Sequence, residues 1–351
     1  MIGRIKIGNS EIGEGAPCFI VAELGVNHNR DLQLAKKSIL AIAESGADAV
    51  KVQTWKTGNI VVKDTRMAHY QKKNLGYQES QYQMLKKLEL PYEWHNELKE
   101  IAEQNGLVFF STMEDRESVD FLIRDLAVSL IKVGSGDLTN YPLLEYTANF
   151  HIPIVLSTGM ATLAEIDEAV RIARAAGNRR IILLQCTTQY PAPYLEMNIR
   201  AMVTMKKAFN LQTGLSDHSE GSECAVAAVA LGASYLEKHF TLDRNLPGPD
   251  HRASLEPSEF GHMVQAVRNV EKALGDGIKQ PAPSEIEYRS SVRRKMVSAK
   301  EIRRGEVMSE ANITFKRAST GLEPMFFLSI KGRKARHRIT KDTPIDLSDI
   351  E

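Results

Sequence analysis

Short apolar runs rich in β-branched residues recur eight times along this chain, most of them followed by a stretch of helical periodicity. The runs fall at residues 19–23, 49–53, 108–111, 130–134, 153–157, 181–186, 213–216 and 234–239. Runs this short and this apolar suit strands buried on both faces, as in a parallel sheet covered by helices. Helical patterns occupy 31–45, 92–105, 118–125, 163–176, 198–209 and 220–231, with a last one at 257–274. Several close on glycine, as in Ser45-Gly46 and Asn105-Gly106. Eight strands with crossovers predict an α/β fold, a closed (β/α)8 TIM barrel. An open doubly wound sheet is the alternative, and the lack of a Gly-x-Gly-x-x-Gly turn after the first run counts against it.

The texture changes at Gly275-Asp276-Gly277-Ile278-Lys279-Gln280-Pro281-Ala282-Pro283-Ser284. The expected division is a barrel over 1–274, a linker over 275–284, and a small β-rich domain over 285–351 made of turn-rich segments and short strands. A domain that small forms a marginal core alone, so it is expected to dock on a barrel, its own or a partner's. Lys and Arg number 45 against 44 Asp and Glu, which argues against nucleic acid or a membrane surface as the main partner. Cys18, Cys186 and Cys224 lie far apart and read as small buried hydrophobes in a reducing compartment. The first residues lack an apolar signal core and no segment is apolar enough to span a bilayer, so a cytoplasmic location is expected.

In a parallel barrel the chemistry collects at the carboxyl ends of the strands. Here those ends carry Glu23, then Lys51, Gln53 and Thr54, then Ser111 and Thr112, then Lys132 and Ser135. The second half adds Ser157, Thr158 and Gly159, then Thr187, Thr188 and Tyr190, then Ser216, Asp217 and His218, and finally Glu237 and His239. Taken singly, a strand-end lysine is usually a solvated rim charge and a Ser-Thr pair a cap. Jointly they say more. Lys51 and Lys132 interrupt apolar strands, and a lysine turned into a barrel mouth needs an anion to offset its desolvation. With the surrounding hydroxyls they predict a cradle for a small, multiply charged phosphate or carboxylate. His218 and His239, with an oxygen from Glu23 or Gln53, make a mixed set suited to manganese, iron, cobalt or zinc and too nitrogen-rich for calcium. His28 is a candidate third ligand, or a residue that only packs its loop.

Several of these segments match a known family. Ala22-Glu23-Leu24-Gly25-Val26-Asn27-His28-Asn29, Val50-Lys51-Val52-Gln53-Thr54, Phe110-Ser111-Thr112, Lys132-Val133-Gly134-Ser135-Gly136 and Leu156-Ser157-Thr158-Gly159-Met160 form the first part. Gly214-Leu215-Ser216-Asp217-His218, Glu237-Lys238-His239-Phe240-Thr241 and Pro247-Gly248-Pro249-Asp250-His251 complete the barrel's share. Together they resemble the bacterial sialic acid synthases, including the legionaminic acid synthases. The stretch with Lys316-Arg317 and Gly321-Leu322-Glu323-Pro324 is similar to that family's C-terminal antifreeze-like (SAF) domain.

The resemblance implies condensation of phosphoenolpyruvate with N-acetylmannosamine and water to give N-acetylneuraminate and phosphate, with C–O cleavage. It implies a divalent metal on His218 and His239, manganese first with magnesium or cobalt as alternatives, and Gln53 near it. Glu23 would move the proton, with Lys51 and Lys132 beside it as catalytic residues. Lys51, Gln53, Thr112, Lys132, Ser135, Ser157, Thr188 and Ser216 would bind phosphoenolpyruvate. Asn74, Tyr190 and Asp250 would bind the sugar, joined by Arg317 from a second subunit of a domain-exchanged homodimer. The chain departs from the family's pattern at Met113-Glu114-Asp115, where Pro-Phe usually follows Ser-Thr, and at Ala318-Ser319, where Pro-Gly usually follows Arg.

The substrate alternatives are 2,4-diacetamido-2,4,6-trideoxymannose, giving legionaminic acid, and then the pseudaminic precursor. Gly134-Ser135-Gly136-Asp137 looks more like the sialic and legionaminic branches. Related barrels that use phosphorylated aldoses are a further enzyme reading. The non-enzyme alternative is a glycan- or ice-binding protein with the barrel as scaffold.

Overall fold

In the computed structural model, which describes residues 2–76 and 78–351, the chain opens with a hairpin that the sequence reading did not anticipate. Strands β1 (Ile5–Ile7) and β2 (Ser10–Ile12) pair antiparallel and turn Ile5, Ile7 and Ile12 into the main apolar core. Each of the eight expected runs then forms a strand: β3 (Phe19–Gly25), β4 (Ala49–Thr54), β5 (Val108–Met113), β6 (Ile131–Val133), β7 (Ile154–Ser157), β8 (Ile181–Cys186), β9 (Gln212–Asp217) and β10 (Tyr235–His239). All eight pair in parallel, and β10 closes on β3 to complete the barrel.

Register sets what the barrel mouth contains. Partners across a parallel ladder share a face, and every second residue along a strand returns to it. Glu23 stands opposite Lys51 and His239, Thr112 opposite Gln53 and Lys132, and Glu237 opposite Ser216. The interior face is thus polar over its last two layers and apolar below. A bulge between Glu23 and Gly25 ends β3, with Gly25 at φ 51° in the left-handed region. A Cβ there would stand 3.1 Å from Glu23 Oε1, so glycine lets the chain turn without moving that carboxylate.

Two departures from expectation matter for the site. The segment after β4 folds into short helices, Thr57–Ile60, His69–Leu75 and Gln81–Leu88, around a separate apolar cluster of Val26, Trp55, Met84 and Leu88. A helix at Tyr141–Ala148 also follows β6. The chain divides into two units, residues 1–275 and 276–351. The second begins with a helix, Pro283–Val292, where the sequence suggested linker and then turns and strands. Pro283 at its first turn needs no N–H partner there, and Glu285 accepts from the Ala282 N–H at 2.8 Å. Strands β11 (Arg294–Ser298) and β12 (Ile313–Arg317) pair antiparallel over a core of Met296, Ile302, Met308, Ile313 and Ile345. No helix among the described residues is long and apolar enough to cross a membrane.

Candidate active site

Four charged side chains, each no more than 5% exposed, meet inside the carboxyl end of the barrel: Glu23, Lys51, Lys132 and Glu237. Lys51 Nζ lies 2.7 Å from Glu23 Oε2 and 3.7 Å from Glu237 Oε1, and it donates to Thr112 Oγ1 at 2.7 Å. Lys132 pairs with Glu237. Glu237 also accepts from Tyr235 OH at 2.9 Å and from Ser216 Oγ at 3.2 Å. The lysines were expected to owe their burial to a bound anion. Their first counter-charges are instead the chain's own Glu23 and Glu237.

Burial works against each charge, and the outcome differs between the two carboxyls. Burial pushes Glu237 up, but Lys132 and Lys51 more than offset it and hold the group well below the usual carboxylate range. Burial also pushes Glu23 up, and Lys51 offsets this only in part, so Glu23 stays above its ordinary value. Burial disfavours the Lys132 ammonium, but Glu237 and Glu23 reverse that and raise its pKa. Gln53 donates to Glu23 Oε1 at 2.9 Å, so its amide orients the carboxylate.

Beside the quartet lies a hydroxyl cluster. Gly159 N–H donates to Ser135 Oγ at 3.1 Å. A Cβ on Gly159 would stand 2.3 Å from Thr188 Oγ1 and 2.8 Å from Ser135 Oγ, a space only glycine leaves open. Thr188 Oγ1 is buried with no partner among the described residues, and Ser157 lines the same cavity.

The two histidines stand across the cavity with ring centroids 5.3 Å apart. His218 Nδ1 lies 2.8 Å from the Thr187 carbonyl, a partner that assigns a proton to Nδ1, while Nε2 faces Ser216 Oγ at 3.4 Å. Tyr190 stacks on His218 at 4.0 Å and meets His239 edge-on at 5.4 Å. His239 Nδ1 is buried without a hydrogen-bond partner among the described residues, 3.9 Å from Asp250 Oδ2. Burial, then His218, hold the His239 pKa well below the ordinary value, so the ring is neutral. Burial works against a charged His218, but Cys186 more than offsets it and raises the pKa, so of the two rings only His239 is held neutral. Once His218 gives up its proton, the pair of imidazoles fits a divalent cation. Among the described residues no group of three or more His, Cys, Asp or Glu is arranged to hold one. An ion held by the two histidines would keep open positions for substrate and water, a feature of catalytic rather than structural sites. His28 is not a third ligand: it is fully buried in its loop, where Nδ1 accepts from Arg30 N–H at 2.9 Å.

One cavity of about 340 Å³ takes in Glu23, Lys51, Gln53, Thr112, Lys132, Ser135, Ser157, Thr188, Tyr190, Ser216, His218, His239 and Asp250. Asn74 stands at its edge, donating to the Pro249 carbonyl at 2.6 Å and the Tyr190 carbonyl at 3.4 Å. Arg317 is exposed at the end of β12 in the second unit. A larger cavity of about 840 Å³ lies elsewhere on the barrel unit, lined by Cys18, Asp48, Arg268 and Glu271. Its central charges satisfy one another, Arg268 pairing with Asp48 at 2.7 Å and Glu271 at 3.2 Å.

Sequence reasoning missed two cavity residues. Cys186, read as an inert hydrophobe, has Sγ 3.8 Å from His218 Nδ1 and 3.7 Å from Ser135 Oγ. Burial pushes its thiol up, but His218 reverses this and brings it down to about 6. Glu114 also lines the cavity, with no hydrogen-bond or ion-pair partner among the described residues. Burial, with Asp137 next in effect, pushes its carboxyl up to about 8. Both were reachable by counting in twos, from Phe110 and Thr112 to Glu114 and from Leu184 to Cys186. A carboxyl with a raised folded pKa contributes stability below its unfolded pKa and loses it as pH rises through the folded value. Glu114→Gln should therefore gain on the wild type by roughly 3 kcal/mol between pH 5 and 9. Denaturant unfolding across that range checks this, and parallel curves would contradict it.

Residues 38–279 match the NeuB family, and residues 293–351 match the SAF domain. The chain is 46% identical over 326 residues to the N,N'-diacetyllegionaminic acid synthase of Campylobacter jejuni, covering 92% of this chain and 97% of that protein. It is 42% identical over 343 residues to the synthase of the same name from Legionella pneumophila, covering 97% and 96%. Among solved structures it is similar to the N-acetylneuraminic acid synthetase of Leptospira borgpetersenii, with a TM-score of 0.72 and 35% identity over 84% of this chain and 99% of that one.

Proposed function

The chain belongs to the NeuB family, enzymes of nonulosonic acid biosynthesis, and from that premise we propose that it condenses phosphoenolpyruvate with water and an acetamido hexose aldehyde. The products are a nine-carbon α-keto acid and inorganic phosphate. The observation that carries this reading is the single cavity in which a lysine-carboxylate quartet faces two imidazoles. The two legionaminic acid synthase relatives favour 2,4-diacetamido-2,4,6-trideoxymannose as the sugar. N-acetylmannosamine, the first expectation from sequence, is the second reading, favoured by the likeness to the Leptospira enzyme.

In this reading Lys51, Thr112 and Ser135 hold the carboxylate of phosphoenolpyruvate, and Lys132, Ser157, Thr188 and Ser216 hold its phosphate. Asn74, Tyr190 and Asp250 bind the sugar. A divalent cation on His218 and His239, manganese first with magnesium or cobalt as alternatives, would supply Lewis-acid polarisation of the aldehyde oxygen. The Thr187 carbonyl and the Tyr190 ring fix the tautomer and plane of His218. As carbon 3 of the enol bonds to the aldehyde carbon, positive charge develops at carbon 2, beside the buried carboxylates. Glu23, its affinity for protons raised by burial, takes one from the water that adds at carbon 2. Collapse of the adduct breaks the carbon 2–oxygen bond, and phosphate leaves with the bridging oxygen. A homodimer in which each barrel is completed by Arg317 of the partner subunit is part of the proposal; sedimentation tests the dimer.

The deciding experiment incubates the protein with phosphoenolpyruvate, Mn(II) and each acetamido hexose and measures phosphate release. Release is expected only with a sugar present, fastest with the diacetamido sugar, and lost with chelator. With 18O at the bridging position the label should appear in phosphate; label retained in the keto acid would rule out this mechanism.

A further inference from the structure

The β9–β10 ladder ends with the pair Asp217 and Lys238, one residue before both histidines. His218 lies beyond it, so no backbone pairing with β10 sets its distance from His239. Alternation along the strands turns Asp217 and Lys238 outward where the histidines turn in. On that outer side Lys238 Nζ sits 2.9 Å from Asp217 Oδ2 and also donates to the Ser219 carbonyl. Asp217 Oδ1 accepts from Ser219 N–H at 2.9 Å and from Ser219 Oγ at 2.6 Å. All three residues are fully buried.

A fully buried ion pair is a poor stabiliser, since desolvating both ions consumes most of their attraction, and apolar replacements of similar volume are often as stable. Its placement supplies another role. Asp217 and Ser219 flank His218, and Lys238 precedes His239, so the pair ties together the backbone that carries both rings. We infer that the Lys238–Asp217–Ser219 clasp is a positioning device that sets the separation of His218 and His239, and hence the affinity for a divalent cation, without any of its atoms facing the cavity. The inference rests on the proposed metal role of the two histidines.

The test measures Mn(II) binding by calorimetry, phosphoenolpyruvate binding and thermal unfolding for the wild type, the neutral pair Asp217→Asn with Lys238→Met, and the milder Ser219→Ala. The neutral pair should fold, bind Mn(II) roughly 10- to 100-fold more weakly, and bind phosphoenolpyruvate within about twofold of the wild type, as expected when the disturbance is local. Ser219→Ala removes only one hydroxyl and should weaken Mn(II) severalfold, which carries the test if the neutral pair does not fold. Unchanged Mn(II) affinity in a folded variant overturns the clasp. Equal losses of both ligands also overturn it, because general loosening would then suffice. A wild type that binds no Mn(II) instead overturns the metal reading and the clasp with it.

Discussion

Replacing His218 and His239 together by alanine is expected to leave a folded barrel whose phosphate release falls roughly 10³-fold or more, since Lewis-acid stabilisation is worth several kcal/mol. Both rings lie at the end of the ladder, 3% exposed, and their main packing partner is Tyr190. Their removal should cost about 2 kcal/mol of packing, small enough to keep the fold. Phosphoenolpyruvate binding should survive, because Lys51, Lys132 and the hydroxyls around Gly159 are untouched. Activity, circular dichroism and ligand calorimetry on one preparation separate these outcomes. Full activity in chelator-treated buffer would sink the metal role, whereas loss of phosphoenolpyruvate binding would relocate the histidines to the nucleophile's side.

The second large effect is expected at Lys132. Lys132→Met leaves Glu237 buried with Lys51 at 3.7 Å as its remaining cation, and breaking a buried pair typically costs about 3 to 5 kcal/mol. The sign of the pH dependence is diagnostic. In the wild type Glu237 has a depressed pKa, so its stabilisation is present above the unfolded carboxylate value and is lost as pH falls through the folded one. Without Lys132, burial dominates and the pKa rises, so the variant should regain stability as pH drops from about 7 toward 5. Phosphoenolpyruvate affinity should fall with it. Stability that declines on acidification as in the wild type would show that Lys51 alone holds the charge.

The barrel was legible because burial on both faces makes its strands continuously apolar. Polar interruptions such as Lys51 and Lys132 therefore marked side chains turned into the mouth, whereas Lys238 turns outward to pair with Asp217. What stayed hidden had physical reasons. The partner of Lys132 lies 105 residues away on a strand that is not its neighbour, and closure of the barrel, which no local pattern encodes, brings Glu237 to it. The β1–β2 hairpin has strands of three residues, too short to display a period. The helix at Pro283–Val292 is exposed on every face, so no apolar stripe announced it. Glu114 and Cys186 were missed for different reasons: Glu114 lies beyond 108–111, where its strand was taken to end, and Cys186 ends its run at 181–186 but reads there as one more apolar residue.

The Lys51, Lys132, Glu23 and Glu237 quartet carries two charges of each sign. A pocket already neutral gains negative charge when a phosphate ester with a carboxylate enters. A carboxylate beside a newly bound anion gains affinity for protons, so the incoming charge pushes Glu23 further in the direction burial already sets. Capture of the anion therefore sharpens the base that must act next: the ligand's own charge strengthens the group that takes the proton from the added water.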